Sequence, residues 1–282
     1  MCANFVKKKE FLLAVDSDGC VMDTMTSKHT LCFGPALVDV WGLDAWRGEI
    51  LGQWNEVNLY SKTRGINRFR GLLLALVEIN KLYTPIGGIE YLRQWCDTTH
   101  ALSDESLLSE LEKCEDEKGR ECLGKALGWS REVNERIDAL PREQREPFVA
   151  SRVALLRAHE VCDIAVVSSA NRGAIADEWG SFGLMECVDA VMAQDVGSKA
   201  HCIGELLKRG YDREKMLMVG DAIGDMEAAE SVGVYYFPIV PRRENESWKE
   251  LCDVALQRLF AGTYGGGYQR SKIEEFLDSF EN

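Results

Sequence analysis

Two carboxylates, Asp16 and Asp18, follow a run of five apolar residues, 11–15, and a glycine comes directly after them. An apolar run without polar alternation is typical of a strand buried on both faces of a parallel sheet. Ligands of open α/β sheets bind beyond the carboxyl ends of the strands, where these carboxylates would lie. There an aspartate can attack phosphorus or bind a divalent metal, and the residue two positions later points the same way. The pair therefore predicts two carboxylates with different roles facing one substrate.

The same Asp-x-Asp-Gly pattern also occurs in turns and in calcium-binding loops. A calcium loop is disfavoured here because Cys20 stands at the third ligand position and Ser27 where a bidentate glutamate belongs. Taken alone, the pattern leaves a structural turn and a catalytic site both open.

Ser168 and Ser169 follow a second predicted strand, 163–167, and stand at the start of a predicted helix. Free backbone N–H groups at a helix start can bind a phosphate, although these serines could equally be N-caps. Lys199 stands at the start of a further predicted helix, where a cation opposes the helix dipole. This position speaks against a structural role for Lys199, although a solvated surface position stays open.

Asp221 and Asp225 follow the apolar run 216–219 and add two more carboxylates, four residues apart. Asp225 alone could be the N-cap of the helix that follows. Taken together and in this order, the polar groups at the four strand ends indicate one shared site at the carboxyl edge of a sheet.

The elements that must position these residues form an alternating pattern after residue 160. Strands are predicted at 11–16, 163–167, 188–192, 216–219 and 234–239. Helices are predicted at 173–180, 199–209, 225–232, 246–260 and 270–280. Such alternation predicts an α/β fold with a parallel sheet and right-handed crossovers.

Between the first two predicted strands the periodicity is helical, from about residue 27 to about residue 160, with helical stretches that include 129–140 and 148–158. We therefore predict an all-α domain inserted into an α/β core. The core would comprise residues 1–24 and 160–282, and the insertion residues 25–159.

The composition of the 282 residues is that of a globular protein, with 46% hydrophobic residues and a net charge of −13. Such a charge argues against general binding of nucleic acids or anionic membranes. Ten cysteines without a Cys-x-x-Cys pair, and only four histidines, exclude the usual zinc and iron–sulfur spacings and favour a reducing, cytoplasmic location. No apolar segment follows the N-terminal lysines at the length that a signal peptide needs, and the run 11–15 is too short to span a bilayer.

The order of these groups resembles the four motifs of the haloacid dehalogenase superfamily, in its phosphatase branch, over about residues 8–24 and 160–240. The residues that carry the resemblance are Asp16-x-Asp18-Gly-x-Val-x-Asp23-Thr24, Ser168, Lys199 and Gly220-Asp221-x-x-x-Asp225. The family usually has threonine where this chain has Cys20. Members with a C1-type helical cap carry it between the first two motifs, where this chain has a larger helical block. The resemblance thus implies a Rossmann-like α/β core with an inserted cap domain.

The resemblance implies a mechanism in which Asp16 attacks phosphorus and forms an aspartyl-phosphate. Asp18 would protonate the leaving oxygen and then activate water. Because Asp18 is present, the dehalogenase and phosphonatase branches are disfavoured. Ser168, Ser169 and Lys199 would bind the phosphoryl oxygens.

The implied cofactor is Mg²⁺, bound by the Asp16 carboxylate, the backbone carbonyl of Asp18 and Asp221, with Asp225 in support. Three hypotheses for the function follow. The first is a magnesium-dependent phosphatase that acts on a small phosphorylated metabolite. The second is a sugar phosphomutase of the β-phosphoglucomutase type, and the third is a non-catalytic binding protein on the same fold.

Substrate specificity is expected in the cap, where residues 62–70 contain four cations in an otherwise acidic chain. We expect Arg64, Asn67 and Arg68 to approach the substrate from this stretch. The alternative is a solvated basic loop.

Overall fold

The computed structural model describes residues 5–99 and 101–281, so the first four residues of the predicted N-terminal lead-in lie outside the described residues. The chain divides into two compact units, one formed by residues 1–25 and 142–282 and the other by residues 26–141. The sequence interpretation extended the insertion to residue 159. Residues 142–159 instead belong to the first unit, because the helix that they contain packs against its sheet.

The first unit begins with strand β1 (Phe11–Val15), in which the last four residues are fully buried. Side chains of alternate residues in a strand point to opposite faces of the sheet, so an unbroken apolar strand needs cover on both faces. The continuous apolar run is explained by this two-sided burial.

Between Met25 and Asp138 the described elements are all helical. The α-helices are α1 (Met25–Ser27), α2 (Gly34–Trp41), α3 (Arg47–Asn55), α4 (Arg68–Leu82), α5 (Ile89–Thr98), α6 (Asp104–Lys113) and α7 (Glu117–Asp138). The shorter turns are π-helical at Lys28–Phe33 and Glu56–Tyr60, and 3-10 at Asp44–Trp46. The helices of the second unit enclose a core that contains Trp54, Trp95 and Trp129, each at most 2% exposed.

Helix α7 is longer than the sequence prediction, which had helix only from residue 129 to 140. The structure begins it at Glu117 because the Asp116 side chain accepts a hydrogen bond from the backbone N–H of Gly119 at 2.8 Å. An aspartate that satisfies a free N–H in this way is a strong N-cap.

The first unit resumes after residue 141 and alternates helices with strands. Its remaining elements are α8 (Val149–His159), β2 (Cys162–Val167), α9 (Arg172–Ser181), β3 (Ala190–Met192), α10 (Lys199–Leu207), β4 (Met216–Gly220), α11 (Ile223–Val232), β5 (Tyr235–Pro238), α12 (Glu244–Glu250), α13 (Leu256–Phe260) and α14 (Gly267–Asp278). Single 3-10 turns lie at Arg142–Gln144, Leu184–Cys187 and Arg213–Lys215, and a π-helical turn at Leu251–Ala255 joins α12 to α13.

The sheet has five parallel strands in the order β3-β2-β1-β4-β5, which confirms the predicted α/β fold. On one face Leu13 and Val15 pack with α8, α9, α12 and α13, and on the other Leu12 and Ala14 pack with α10, α11 and α14. Strand β1 is therefore central, and the segment that follows it leaves the sheet between the ends of two neighbouring strands.

Within residues 5–99 and 101–281, no helix combines the length and the apolar character needed to cross a membrane.

Candidate active site

The carboxyl ends of β1, β2 and β4 lie at one edge of the sheet. Val15, the last residue of β1, pairs with Val166 of β2 and with Val219 of β4. Asp16 follows directly, and its backbone N–H donates to the Val219 oxygen at 2.9 Å. The segments that follow these three strands therefore leave the sheet side by side, where ligands of open α/β sheets bind.

Lys199 contacts two of the predicted site carboxylates. Its Nζ lies 3.1 Å from Asp16 Oδ1 and also donates to Asp225 Oδ1. Lys199 is the first residue of α10, and this helix begins there because Ser198 Oγ accepts from the N–H of His201. The lysine is only 18% exposed, so it is not a solvated surface residue.

Asp16, Asp221 and Asp225 are all buried, and one oxygen of each lies within 4.8 Å of one oxygen of the others. Three carboxylates against one ammonium leave an excess of two negative charges in this group, and oxygen donors of this kind suit Mg²⁺. The donor set thus fits a divalent cation, which would offset the excess charge.

Burial dominates the electrostatics of these groups. Burial raises the pKa of Asp16 to about 6, although Lys199 lowers it and Asp225 raises it further. Burial also raises the pKa of Asp225, against the lowering effect of Lys199. For Lys199 burial alone lowers the pKa, but the charges of Asp16 and Asp225 reverse this and raise it above its ordinary value. The burial of closely spaced carboxylates is therefore the main cause of the raised pKa values of Asp16 and Asp225.

Asp225 has a second role beside its contact with Lys199. It is the third residue of α11, and its Oδ2 accepts from the backbone N–H of Ala222 at 3.2 Å. The sequence interpretation left Asp225 open as the N-cap of a helix that begins there, and this alternative is wrong. The helix begins two residues earlier with Ala222 as its N-cap, and the Asp225 carboxylate accepts from the N–H of that N-cap residue in addition to its contact with Lys199.

Asp18 stands apart from the three clustered carboxylates and is partly exposed. The hydroxyl of Thr24 donates to Asp18 Oδ1 at 2.5 Å. Gly19, with φ of 79°, adopts the left-handed conformation that lets the chain turn between these two residues. The turn holds the Asp18 carboxyl group at the edge of the sheet in a fixed orientation.

Ser168 follows β2 at the same edge and is buried, whereas Ser169 is exposed. Neither is the N-cap of α9, because the side chain of Asn171 takes that position and accepts from Gly173 N at 2.7 Å. The Ser168 hydroxyl accepts from the N–H of Ala170 at 3.2 Å.

The three cap candidates have partners inside the second unit. Arg64 is buried and donates from a guanidinium nitrogen to the Leu59 oxygen at 2.9 Å. Asn67 is the N-cap of α4, since its Oδ1 accepts from Phe69 N at 2.9 Å.

Arg68 donates to Ser130 Oγ at 3.2 Å and to Asn134 Oδ1 at 2.8 Å. Its guanidinium group lies 5.2 Å from the centre of the Phe33 ring. Asn67 and Arg68 thus stabilise the second unit, and a contact of any of the three with substrate stays a prediction.

Sequence reasoning missed one supporting residue of the site, Tyr236 in β5. Its hydroxyl, in a fully buried side chain, donates to the Gly220 oxygen at 2.9 Å and so holds the end of β4. No local pattern marks this tyrosine, because its partner lies on a neighbouring strand.

The family model for haloacid dehalogenase-like hydrolases matches residues 75–239, which is more than half of the chain. The matched range includes Ser168, Lys199, Asp221 and Asp225. No curated protein sequence matches the chain.

Two solved structures are similar to this chain at low sequence identity. One is a Lactobacillus delbrueckii subsp. bulgaricus protein provisionally named phosphoglycolate phosphatase, with a TM-score of 0.51 and 13% identity over 82% of this chain and 86% of that chain. The other is a haloacid dehalogenase-like hydrolase from Streptococcus pneumoniae, with a TM-score of 0.46 and 12% identity over 85% of this chain and 90% of that chain.

Proposed function

Because the chain belongs to the haloacid dehalogenase-like hydrolase family, we propose that it is a Mg²⁺-dependent phosphatase that removes phosphate from a small phosphomonoester through an aspartyl-phosphate. The observation that carries this proposal is the contact of Lys199 Nζ with both Asp16 and Asp225, beside Asp221. Such a constellation of one cation and three carboxylates at the carboxyl edge of a parallel sheet supports phosphoryl transfer.

In the first step a carboxylate oxygen of Asp16 attacks phosphorus, and the bond between phosphorus and the ester oxygen breaks. Asp18, in its protonated form, donates its proton to the leaving oxygen, so the alcohol departs neutral. The hydrogen bond from Thr24 supports this role because it holds the Asp18 carboxyl group in place.

In the second step the Asp18 carboxylate accepts a proton from water, and the water oxygen attacks phosphorus. The bond between phosphorus and Asp16 breaks, which releases inorganic phosphate and restores the Asp16 carboxylate. One residue thus acts first as acid and then as base.

Transferred phosphoryl groups are stabilised mainly by positioning and charge neutralisation. Lys199 would bind one phosphoryl oxygen. Ser168 would bind another, together with Ser169, which is exposed. Asp16, Asp221 and the Asp18 carbonyl would hold Mg²⁺, with Asp225 in support, and the ion would supply charge neutralisation. One such contact contributes about 3–4 kcal/mol to the transition state.

The substrate class follows from charge and location. We place the protein in the cytoplasm and expect a small metabolite rather than a nucleic acid or a membrane lipid. The net charge of −13 supports this, because it repels polyanions. The described cysteines are free thiols, in agreement with a reducing compartment.

A phosphate-release screen over sugar phosphates, nucleotides and other phosphomonoesters, with and without Mg²⁺, tests the proposal. Asp16→Asn should abolish release, while Asp253→Asn, which changes a carboxyl group that is 68% exposed, should leave it intact. Circular dichroism would establish that both variants fold. Conversion of one hexose phosphate into another without phosphate release would instead identify a mutase, and no turnover of any ester would refute both.

A further inference from the structure

Two buried tryptophans donate hydrogen bonds to the loop that contains both catalytic carboxylates, residues 16–22. Trp179 of α9 donates from Nε1 to Ser17 Oγ at 2.9 Å. Trp248 of α12 donates from Nε1 to the backbone oxygen of Cys20 at 2.8 Å. Both indoles are fully buried, and they come from helices far apart in the sequence. Two distant elements therefore reach the same short loop.

The other contacts of the loop do not replace these two bonds. The backbone N–H groups of Val21 and Met22 both donate to the backbone oxygen of Ser17, which closes the turn on itself. The Cys20 thiol also contacts the backbone oxygen of Val219, at 3.6 Å, but a thiol is a weak donor. The local bonds thus fix the shape of the turn. Phe148 N and Ser151 Oγ both donate to the Val21 oxygen at 3.0 Å and tie the far end of the loop to α8. The indole N–H groups bond to Ser17 and Cys20, the residues on either side of Asp18.

Ser17 lies between Asp16 and Asp18 in the chain and is 1% exposed. A change in the backbone torsion angles of this residue would displace the Asp16 and Asp18 carboxyl groups relative to each other, because Ser17 is the only residue between them. The bond from Trp179 acts against this change. Phenylalanine is smaller but also aromatic, so it would keep part of the packing and could not donate the bond.

We propose that Trp179 and Trp248 are positioning residues for the reaction, holding the loop so that Asp16 and Asp18 meet the substrate at the productive angle. This rests on the proposed phosphatase function. Neither indole would touch the substrate, and the effect passes through Ser17 and Cys20. Displacement of catalytic groups by about 1 Å can lower rates about 100-fold, so a partial loosening should lower kcat about 10-fold.

The test uses Trp179→Phe, Ser17→Ala and the double variant of the full chain. We expect each to lower kcat about 10-fold with KM changed less than about two-fold, and the double variant to be no slower than either single one. Trp248→Phe should lower kcat in the same way. Ser17→Ala removes the acceptor of the same hydrogen bond and keeps the indole, so its kcat tests the proposal even where Trp179→Phe folds poorly.

The matched control is Trp95→Phe, in the second unit. Trp95 is also buried and donates from Nε1 to a serine, Ser106 Oγ, at 3.1 Å. The control removes the same kind of bond within the other compact unit, so it should lower stability to a similar degree and leave kcat unchanged. If Trp179→Phe changes kcat no more than Trp95→Phe does, the proposal is wrong.

Amide hydrogen exchange provides a readout that does not need turnover. In Trp179→Phe and Trp248→Phe, the peptide that covers residues 16–22 should exchange faster than in the unchanged protein, and in Trp95→Phe it should not. Faster exchange in a chain that hydrolyses no phosphoester would preserve the bracing role and refute the phosphatase function. Unchanged exchange in both variants would refute the bracing role itself.

Discussion

Gly220 lies directly against the carboxyl group of Asp225: a Cβ built on Gly220 would come within 2.4 Å of Asp225 Cγ. No side chain fits between them without displacing the carboxylate that contacts Lys199. The glycine that ends β4 is thus required because of close approach, since its φ does not lie in the left-handed region.

Gly220→Ala should therefore push Asp225 away from Lys199. Overpacking of this kind lowers the free energy of unfolding by about 1–3 kcal/mol. Loss of one charge-stabilising arrangement should lower kcat about 100-fold. Urea unfolding and phosphate release would measure the two effects.

Gly224→Ala is the matched control for this substitution. Gly224 lies in α11 with nothing within 4 Å of a built Cβ. Alanine there should stabilise the helix by about 0.5–1 kcal/mol and leave turnover unchanged. Full activity of Gly220→Ala would mean that the position of Asp225 does not matter.

The cluster of Asp16, Asp221 and Asp225 should bind Mg²⁺ in the absence of substrate. A ligand that binds only the folded state stabilises it by about 2.7 kcal/mol at 100 times its Kd, so Tm should rise with magnesium concentration. Asp221→Asn removes a predicted ligand and should abolish most of this rise. Differential scanning calorimetry with and without EDTA would measure it.

Asp212→Asn is the control for the magnesium effect, because the Asp212 carboxyl group is 73% exposed and pairs only loosely with Lys215, at 3.4 Å. Its Tm should respond to Mg²⁺ as that of the unchanged protein does. An equal response in Asp221→Asn would place the ion elsewhere.

The core of this site was predictable from the sequence for a physical reason. Asp16, Ser168 and Asp221 each follow an apolar run long enough for a buried strand, and parallel strands bring such positions to one edge. Lys199 directly follows Ser198, whose side chain caps α10, and Asp225 lies in the first turn of α11, a few residues after the end of β4. Local patterns therefore sufficed to bring these residues together.

Features that depend on partners distant in the chain could not be predicted from the sequence. Helix α8 was assigned to the insertion, because nothing in its own residues reveals that it packs on the sheet. The partners of Arg68, Ser130 and Asn134, lie on α7 more than 60 residues later and are not evident from the sequence around it, while its contact with substrate stays a prediction. Cationic side chains in a helical segment look alike in sequence whether they bind a ligand or a neighbouring helix.

Two variants of Asn67 distinguish a structural role from a contact with substrate. As the N-cap of α4 it accepts from Phe69 N at 2.9 Å, so Asn67→Ala should lower the free energy of unfolding by about 1 kcal/mol. Asn67→Ser keeps a capping oxygen and should restore most of this loss. Urea unfolding would give both values.

The kinetics of the same two variants decide what else Asn67 does. With a structural role alone, KM for the best substrate should be unchanged in both. A large rise in KM for Asn67→Ala without a loss of stability would show that the side chain contacts substrate and that the capping bond is secondary.

Buried thiols should make the protein sensitive to alkaline pH. Burial raises the pKa of Cys162, at the start of β2, from 9.0 to about 12. Burial likewise raises the pKa of Cys96 and of Cys122 to about 11. In each case the folded chain keeps a proton that the unfolded chain has lost, so the stability is fully present below pH 9 and falls as pH rises towards the folded value.

Cys162→Ala should therefore reduce the dependence of stability on pH between 9 and 11. For this one thiol, ionisation in the unfolded state alone lowers the free energy of unfolding by about 1.4 kcal/mol at pH 10. The variant is less stable at pH 7.5, since a buried sulfur is lost, but its stability should decline less steeply on going to pH 10. Cys114→Ala, which removes a partly exposed thiol, should decline as the unchanged protein does. Urea unfolding at the two pH values measures the slopes, and equal slopes in all three proteins would exclude Cys162 as a source of alkaline instability.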